Sequence, residues 1–149
     1  MSRHQLAQIN VARLLAPIDA PETADFVTAL APVNAQADSA PGFVWRLQTE
    51  SGDATAVRAS DDPLVIVNLT VWESVEALEA FAYREASHLA VLRRRREWFE
   101  RATEAVTTLW WVPTGHLPTV DEALDRLALL RAQGPSPEAF TFRERFAAP

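Results

Sequence analysis

Apolar and polar residues alternate along four segments of the chain, a period of two that is typical of strands with one buried face. The strongest of these is LVIVNLTVWE, in which one face carries only valine and leucine. Its other face is mixed and carries Ile66, Asn68, Thr70 and Trp72. The four predicted strands are Leu6 to Leu14, Phe43 to Thr49, Leu64 to Glu73 and Ala105 to Pro113.

Apolar residues recur at helical spacing in three further segments. The first runs from Glu22 to about Gln36 and contains Pro32, where we expect a kink or a break. The second, Ser74 to Glu100, predicts one long helix with Ser74 as its N-cap. The third, Thr119 to Gly134, begins with a capping box and ends on a glycine.

The predicted order is β-α-β-β-α-β followed by an added helix and a tail, which indicates an α+β, ferredoxin-like fold with a four-stranded antiparallel sheet. Because 149 residues with 48% apolar content suit one core, we expect a single domain over residues 1–149. A short extra strand is expected around Ala54 to Val57. The last stretch, AFTFRERF, is expected to form an edge strand or a clasp.

The second face of the sheet predicts a cavity. Helices should cover one face, and the other face carries amides beside large apolar groups, with a further tryptophan, Trp110 or Trp111, from the fourth strand. Two such faces closing on each other in a homodimer would enclose a pocket with aromatic walls and a few directed polar groups. The alternative is that Gln8, Asn10, Asn68 and Thr70 bond one another at the dimer interface and hold no ligand.

Composition excludes several classes of function. The chain has no cysteine, a net charge of −6 and no apolar run long enough to cross a bilayer. We therefore expect a cytoplasmic protein that binds neither nucleic acid nor membranes. The one basic run, Arg93 to Arg96, is expected to be a solvated, salt-bridged helix end, or alternatively a contact for an anionic ligand.

Motifs for hydrolytic, nucleotide and metal chemistry are missing from the sequence. There is no GxSxG segment, and the four glycines form no phosphate-binding loop. His4, His88 and His116 are far apart in the sequence, so we expect no metal site and a loop-ordering role for His116. The five tryptophans indicate either core packing or a pocket for a flat hydrophobic ligand.

Four segments together resemble the family called domain of unknown function 3291, and the similarity covers nearly the whole chain. They are HQLAQINVARL, PGFVWRLQTESGDAT, VNLTVWESVEALEAFAYR and LWWVPTGHLPTVDEALDRLALLRAQGPSPEAFTFRERF. The resemblance implies a dimeric α+β barrel and a likeness to antibiotic-biosynthesis monooxygenases. In that superfamily, some members oxidise aromatic polyketides without a cofactor, some bind haem through a histidine of the second helix, and some are binding modules.

The resemblance and the mixed face together predict a protein that binds or oxidises an aromatic or hydrophobic molecule without a cofactor. His88 would abstract or relay a proton. The predicted ligand-binding residues are Asn10, Asn68, Trp72, Arg84 and Trp110. Three alternatives stay open: a haem protein with His88 as axial ligand, a binding module without catalysis, and a His88 that only packs.

Overall fold

The computed structural model describes residues 3–48 and 60–149, which form a four-stranded antiparallel sheet with helices on both faces. The strand order across the sheet is Phe43–Arg46 (β2), Val65–Trp72 (β3), His4–Arg13 (β1) and Thr107–Pro113 (β4), which confirms the predicted ferredoxin-like α+β fold. No helix in these two ranges is long and apolar enough to span a membrane. A 3-10 turn, Pro21–Thr23, precedes α1. The elements are β1 His4–Arg13, α1 Ala24–Asp38, β2 Phe43–Arg46, β3 Val65–Trp72, α2 Val75–Arg84, α3 Ala86–Arg93, α4 Arg95–Trp98, β4 Thr107–Pro113 and α5 Val120–Gln133. The extra strand expected around residues 54–57 lies outside the described residues.

The strand register divides the sheet into two chemically different faces. Gln8 lies opposite Thr70, and Asn10 lies opposite Asn68. Because directly opposed residues share a face, the predicted mixed face is confirmed. We call the following set the mixed face: Gln8, Asn10, Ile66, Asn68, Thr70 and Trp72. We call the opposite set the aliphatic face: Ala7, Ile9, Val67, Leu69 and Val71.

Helix α5 covers the aliphatic face. Ala123 and Leu127 of α5 are buried in the same core as the strand residues of that face. Thr119 caps the helix as predicted, since its hydroxyl accepts a bond from the Glu122 amide at 3.1 Å. Trp110 lies here as well, because its strand partner is Ala7.

Helices α1 to α4 lie over the mixed face, which differs from the expectation that a second protomer would cover it. Phe26 of α1 and Trp98 of α4 are buried in a cluster with Leu14, and Ile66 packs against that cluster. Phe81 of α2 stacks on Trp72. The physical reason is that α5 occupies the aliphatic face, so the large apolar groups of the mixed face are left for the remaining helices to bury.

The first two helical segments differ from their predicted form. Helix α1 continues through Pro32, whose side chain lies on the exposed side. The predicted single helix from Ser74 to Glu100 is three helices. Its Ser74 cap is confirmed, with the hydroxyl accepting from the Ala77 amide at 3.1 Å, but the backbone is extended at Glu85 with ψ of 122°. The Glu85 carboxylate then caps α3 by accepting from the Ser87 amide at 3.1 Å.

An irregularity in β2 changes which face its aromatic residues occupy. The pairing shifts between Phe43 and Trp45, so Phe43 pairs with Trp72 and Trp45 pairs with Val71. The alternating pattern predicts Phe43 and Trp45 on one side, and this is wrong because a bulge inserts one extra residue. Phe43 therefore reaches the mixed face, while Trp45 packs into the aliphatic core.

The C-terminal stretch forms a clasp along the free edge of β4. Phe140 exchanges two backbone hydrogen bonds with Leu109, at 2.8 and 2.9 Å, and its ring is fully buried. The Trp111 indole donates to the carbonyl of Phe146 at 2.8 Å, and Arg145 pairs with Glu79 of α2. The tail thus ties the sheet edge to α2.

Candidate functional site

A cavity of about 990 Å³ lies between the mixed face and helices α1 to α4. Its wall combines the side-chain amides of the sheet, aromatic rings of β3 and α2, and arginines from the region of α4. The lining also includes Val67 and Leu124 of the aliphatic side. The lining residues on which the chemistry depends are Gln8, Asn10, Asn68, Thr70, Trp72, Phe81, His88, Arg95 and Arg96.

The break between α2 and α3 positions His88. Ala82 lies in the last turn of α2, where a helix offers its carbonyl oxygens no amide four residues on. The Nδ1 atom of His88 lies 2.7 Å from the Ala82 carbonyl oxygen. Since a carbonyl can only accept, Nδ1 carries the proton and donates it, and Nε2 of the neutral ring is left with its lone pair.

The environment of His88 keeps the ring neutral near pH 7. Burial lowers the pKa of the His88 imidazole, against the opposing effects of the Ala82 carbonyl and the Glu85 carboxylate. Within the described residues His88 has no further hydrogen bond, and no fully buried side-chain nitrogen is without a partner. Nε2 is therefore accessible, and since His88 lines the cavity we infer that this nitrogen opens into it.

A row of aromatic rings forms the wall beside this nitrogen. Phe43 meets Trp72 edge to face at 5.4 Å, and Trp72 stacks on Phe81 at 5.4 Å with 30° between the ring planes. Phe81 in turn lies 5.0 Å from the His88 ring. Such a wall suits a flat aromatic molecule, and it places that molecule next to a neutral imidazole.

A chain of hydrogen bonds runs across the mixed face from the same tryptophan. The Trp72 indole Nε1 donates to the Thr70 hydroxyl at 2.9 Å, and Thr70 donates to Oε1 of Gln8 at 2.8 Å. All three side chains are buried. Asn10 and Asn68 lie farther along the strands and are exposed, so their amides stand at the open side of the cavity.

The structure brings four of the six predicted site residues together: His88, Asn10, Asn68 and Trp72 all line the cavity. Arg84 is exposed at the end of α2, outside the cavity wall. Trp110 is fully buried on the aliphatic face and donates to Glu122 at 3.1 Å. Neither residue lies with the other four.

Sequence reasoning missed Gln8 and Thr70 as site residues, although it assigned both to the mixed face. The signal was available in part, because their alternation with Ala7 and Val71 is visible in the sequence. The sequence does not show that Gln8 and Thr70 pair directly, because this depends on the register between two strands more than sixty positions apart. Phe81 was not among the predicted site residues, and its contact with Trp72 depends on how α2 packs on the sheet. The basic run was expected to be a solvated helix end or an anion contact, and the cavity position of Arg95 and Arg96 depends on the helix breaks.

The basic run is only partly salt-bridged. Arg94 pairs with Glu97 at 2.8 Å and with Asp25 of α1 at 2.9 Å, and this fastens α4 to α1. Arg95 donates to the carbonyl of Leu92. Arg95 and Arg96 are exposed and line the cavity, so its wall includes two arginines in a chain whose net charge is −6.

No group of three or more metal-binding side chains occurs in residues 3–48 and 60–149. His116 is exposed, and its Nε2 lies 2.7 Å from Glu122 of α5. This contact agrees with the loop-ordering role expected from the sequence. His116 does not line the cavity, which makes it a matched control for His88.

Comparison with solved structures identifies the fold. A proposed antibiotic biosynthesis monooxygenase from Nitrosomonas europaea is 16% identical, with a TM-score of 0.52 over 80% of this chain and 98% of that one. The protein Rv0793 from Mycobacterium tuberculosis is 13% identical, with a TM-score of 0.51 over 77% and 99%. PA3566 from Pseudomonas aeruginosa is 15% identical, with a TM-score of 0.50 over 79% and 98%.

At these identities the likeness shows a shared monooxygenase-like fold and nothing finer. No curated protein matches the sequence. The family model called Domain of unknown function (DUF3291) matches residues 5–149, which confirms the resemblance noted in the sequence. The chain belongs to this family of unknown function.

Proposed function

We propose that this protein binds a flat aromatic molecule in the cavity and removes a proton from it with His88, in an oxygenase-like reaction without a resident cofactor. One observation carries the proposal: a neutral imidazole has its Nδ1 proton fixed on Ala82 and its free Nε2 lone pair in a cavity. A general base must be deprotonated at working pH and within reach of its substrate. The shared fold is compatible with this activity but does not establish it.

The chemistry would proceed at an activated methylene between aromatic rings. His88 Nε2 takes one of its protons and leaves a resonance-stabilised carbanion, which stacks on Phe81, and the buried Trp72 ring supports Phe81 from behind. The carbanion reacts with O₂, and the methylene becomes a carbonyl while the second oxygen atom leaves as water. The amides of Asn10 and Asn68 would orient the substrate. Arg84 and Trp110 lie apart from this group and take no part in the proposal.

The test is oxygen consumption with 9-anthrone as the probe, read with an oxygen electrode and by the absorbance of the anthraquinone formed. His88→Asn is the informative variant, because its side-chain amide can still donate to the Ala82 carbonyl but offers no base in place of Nε2. We expect His88→Asn to lower the enzymatic rate by roughly 100-fold or more. His116→Gln, the matched control, should leave the rate unchanged.

Two results would contradict the proposal. Equal rates for wild type and His88→Asn would remove His88 as the base. Binding of 9-anthrone, seen as a change in tryptophan fluorescence, without any turnover by the wild type would indicate a binding module instead of an enzyme.

A haem protein is the second candidate, and the same atom favours it. An imidazole whose Nδ1–H is held by a carbonyl presents Nε2 in the tautomer that ligates a metal. His88 would hold the iron, and Arg95 and Arg96 would meet the propionates. Titration with haemin distinguishes the two: a shifted Soret band that His88→Asn abolishes would select haem, and an unshifted band would exclude it.

The homodimer expected from the family resemblance stays a prediction. The residues named in the proposal all line the cavity from one chain. Light scattering on the eluting protein, giving a mass of one or two chains of 16.5 kDa, measures the assembly directly.

A further inference from the structure

The side-chain amide of Gln8 has an unused donor that faces the cavity. Gln8 is only 6% exposed. Within the described residues its side chain makes one hydrogen bond, which Oε1 accepts from the Thr70 hydroxyl. No fully buried side-chain nitrogen or oxygen of the described residues is without a partner. The Gln8 amide nitrogen must therefore touch open space, and the open space at Gln8 is the cavity.

The chemistry of three residues dictates which end of this amide faces inward. An indole N–H can only donate, so the Thr70 hydroxyl oxygen must accept from Trp72. That leaves the Thr70 proton to be donated onward, and Gln8 must meet it with an acceptor, its Oε1. The NH₂ group is then on the cavity side. Within the described residues Oε1 of Gln8 is the acceptor recorded for the Thr70 proton, and a flipped amide would leave that proton without an acceptor.

We propose that Gln8 recognises an acceptor oxygen of the ligand, a carbonyl or a phenolate, and that Trp72 and Thr70 act as positioning residues for its NH₂ group. This inference rests on the proposed binding of a flat aromatic molecule and names a feature of that molecule. The ligand carries an oxygen that accepts from Gln8 while one ring face lies on the Trp72–Phe81 wall. A buried donor left without an acceptor is costly, so a ligand lacking this oxygen binds more weakly.

The test compares two probes that differ in one group, 9-fluorenone and fluorene. Both are flat and apolar, but only 9-fluorenone has a carbonyl. Affinities are measured by tryptophan fluorescence. The side-chain amide signal of Gln8 is followed by ¹⁵N NMR and assigned by its loss in Gln8→Met. We expect wild type to prefer 9-fluorenone by roughly tenfold, the size of one net hydrogen bond. Only 9-fluorenone should shift the Gln8 amide signal strongly.

Variants separate the donor from the shape of the cavity. Gln8→Glu, studied at pH 8 to favour the ionised carboxylate, keeps the acceptor for Thr70 and replaces the donor with an acceptor. Gln8→Met has nearly the same length and no donor. Both should lose the preference while fluorene binds as before. Thr70→Val should reduce the preference because the amide can turn. Gln5→Glu on the same strand is the control, since Gln5 uses its Oε1 to accept from the Gly115 amide away from the cavity.

The outcomes separate this inference from the proposed function. Equal affinities for 9-fluorenone and fluorene, unchanged in Gln8→Glu and Gln8→Met, would overturn the role of Gln8 and leave aromatic binding intact. Binding of neither probe would overturn aromatic binding and this inference with it. An unchanged Gln8 amide signal in the 9-fluorenone complex would also overturn it, because a merely structural Gln8 gives that result.

Discussion

At the scale of single residues, His88 divides two tasks between its two nitrogens. Nδ1 satisfies the Ala82 carbonyl at the end of α2, and Nε2 faces the cavity. Substitution by alanine removes both functions, so a loss of activity in that variant would say little about either. Substitution by asparagine retains a donor for Ala82 and removes the base, which makes the two tasks separable.

The pH dependence of stability should report the neutral state of His88. Burial holds the folded-state pKa of His88 below its ordinary value of about 6.5. Between those two pKa values the unfolded chain binds more protons than the folded one, so the free energy of unfolding rises with pH there. We expect acidification from pH 7.5 to pH 5 to destabilise wild type more than His88→Asn. Urea denaturation of both proteins at the two pH values measures this.

Comparing wild type with His88→Asn isolates the contribution of His88 to the pH dependence of the unfolding free energy. Every other side chain is the same in both proteins, so its effect cancels in the difference. A difference in unfolding free energy that stays constant from pH 7.5 to pH 5 would contradict a lowered His88 pKa in the folded state.

At the scale of elements, the sequence predicts regular structure better than its interruptions. The alternation in β1 and β3 and the caps at Ser74 and Thr119 are local signals, and the structure confirms them. The break at Glu85 leaves no mark in the apolar spacing, since the same three- and four-residue period continues on both sides. The site depends on that break, because a continuous helix would occupy the Ala82 carbonyl with a backbone amide.

Gly42, in the turn between α1 and β2, is a second position where regular structure is interrupted, and its effect on stability can be measured. It has a φ of +82°, and an added Cβ would lie 2.5 Å from the Cβ of Ala77 in α2. We expect Gly42→Ala to lower the free energy of unfolding by about 2 kcal/mol or more, from backbone strain plus overlap. Gly115→Ala is the matched control: its φ is +91° but nothing lies within 4 Å, so it should cost only the strain, about 1 kcal/mol.

A double-mutant cycle identifies the overlap. In Gly42→Ala with Ala77→Gly the clashing methyl is gone, so the double variant should be more stable than the sum of the two single changes implies. Chemical denaturation of the four proteins gives the coupling. Additive effects, or equal costs for Gly42→Ala and Gly115→Ala, would show that α2 does not pack closely on this turn.

At the scale of the whole molecule, the sequence identifies two chemically distinct faces but not what covers each one. The residues of β3 define the two faces. Which elements cover each face depends on where α5 and the C-terminal tail pack, and these segments are far from β3 in the sequence. The sequence predicts a cavity between two protomers. In the structure α5 packs on the aliphatic face, and the cavity lies between the mixed face and helices of the same chain. The same packing separates Trp110 from the predicted site, since β4 places that residue under α5.

The C-terminal clasp should be essential to the stability of this arrangement. The Phe140 ring is fully buried against Leu6, Trp72 and Leu109, and its backbone covers the edge of β4. We expect Phe140→Ala to lower the free energy of unfolding by about 3 to 5 kcal/mol, as for other buried rings replaced by alanine. Thermal and urea denaturation measure the loss.

Phe142, two residues on, provides the matched control because it belongs to the same tail but is only half-buried. It meets Tyr83 edge to face at 5.5 Å and lines the cavity. Phe142→Ala should therefore cost less stability than Phe140→Ala while weakening the binding of 9-anthrone. Equal stability losses in the two variants would mean that the tail acts as one unit. An unaltered affinity in Phe142→Ala would place the ligand deeper, toward Trp72, beyond the reach of the clasp.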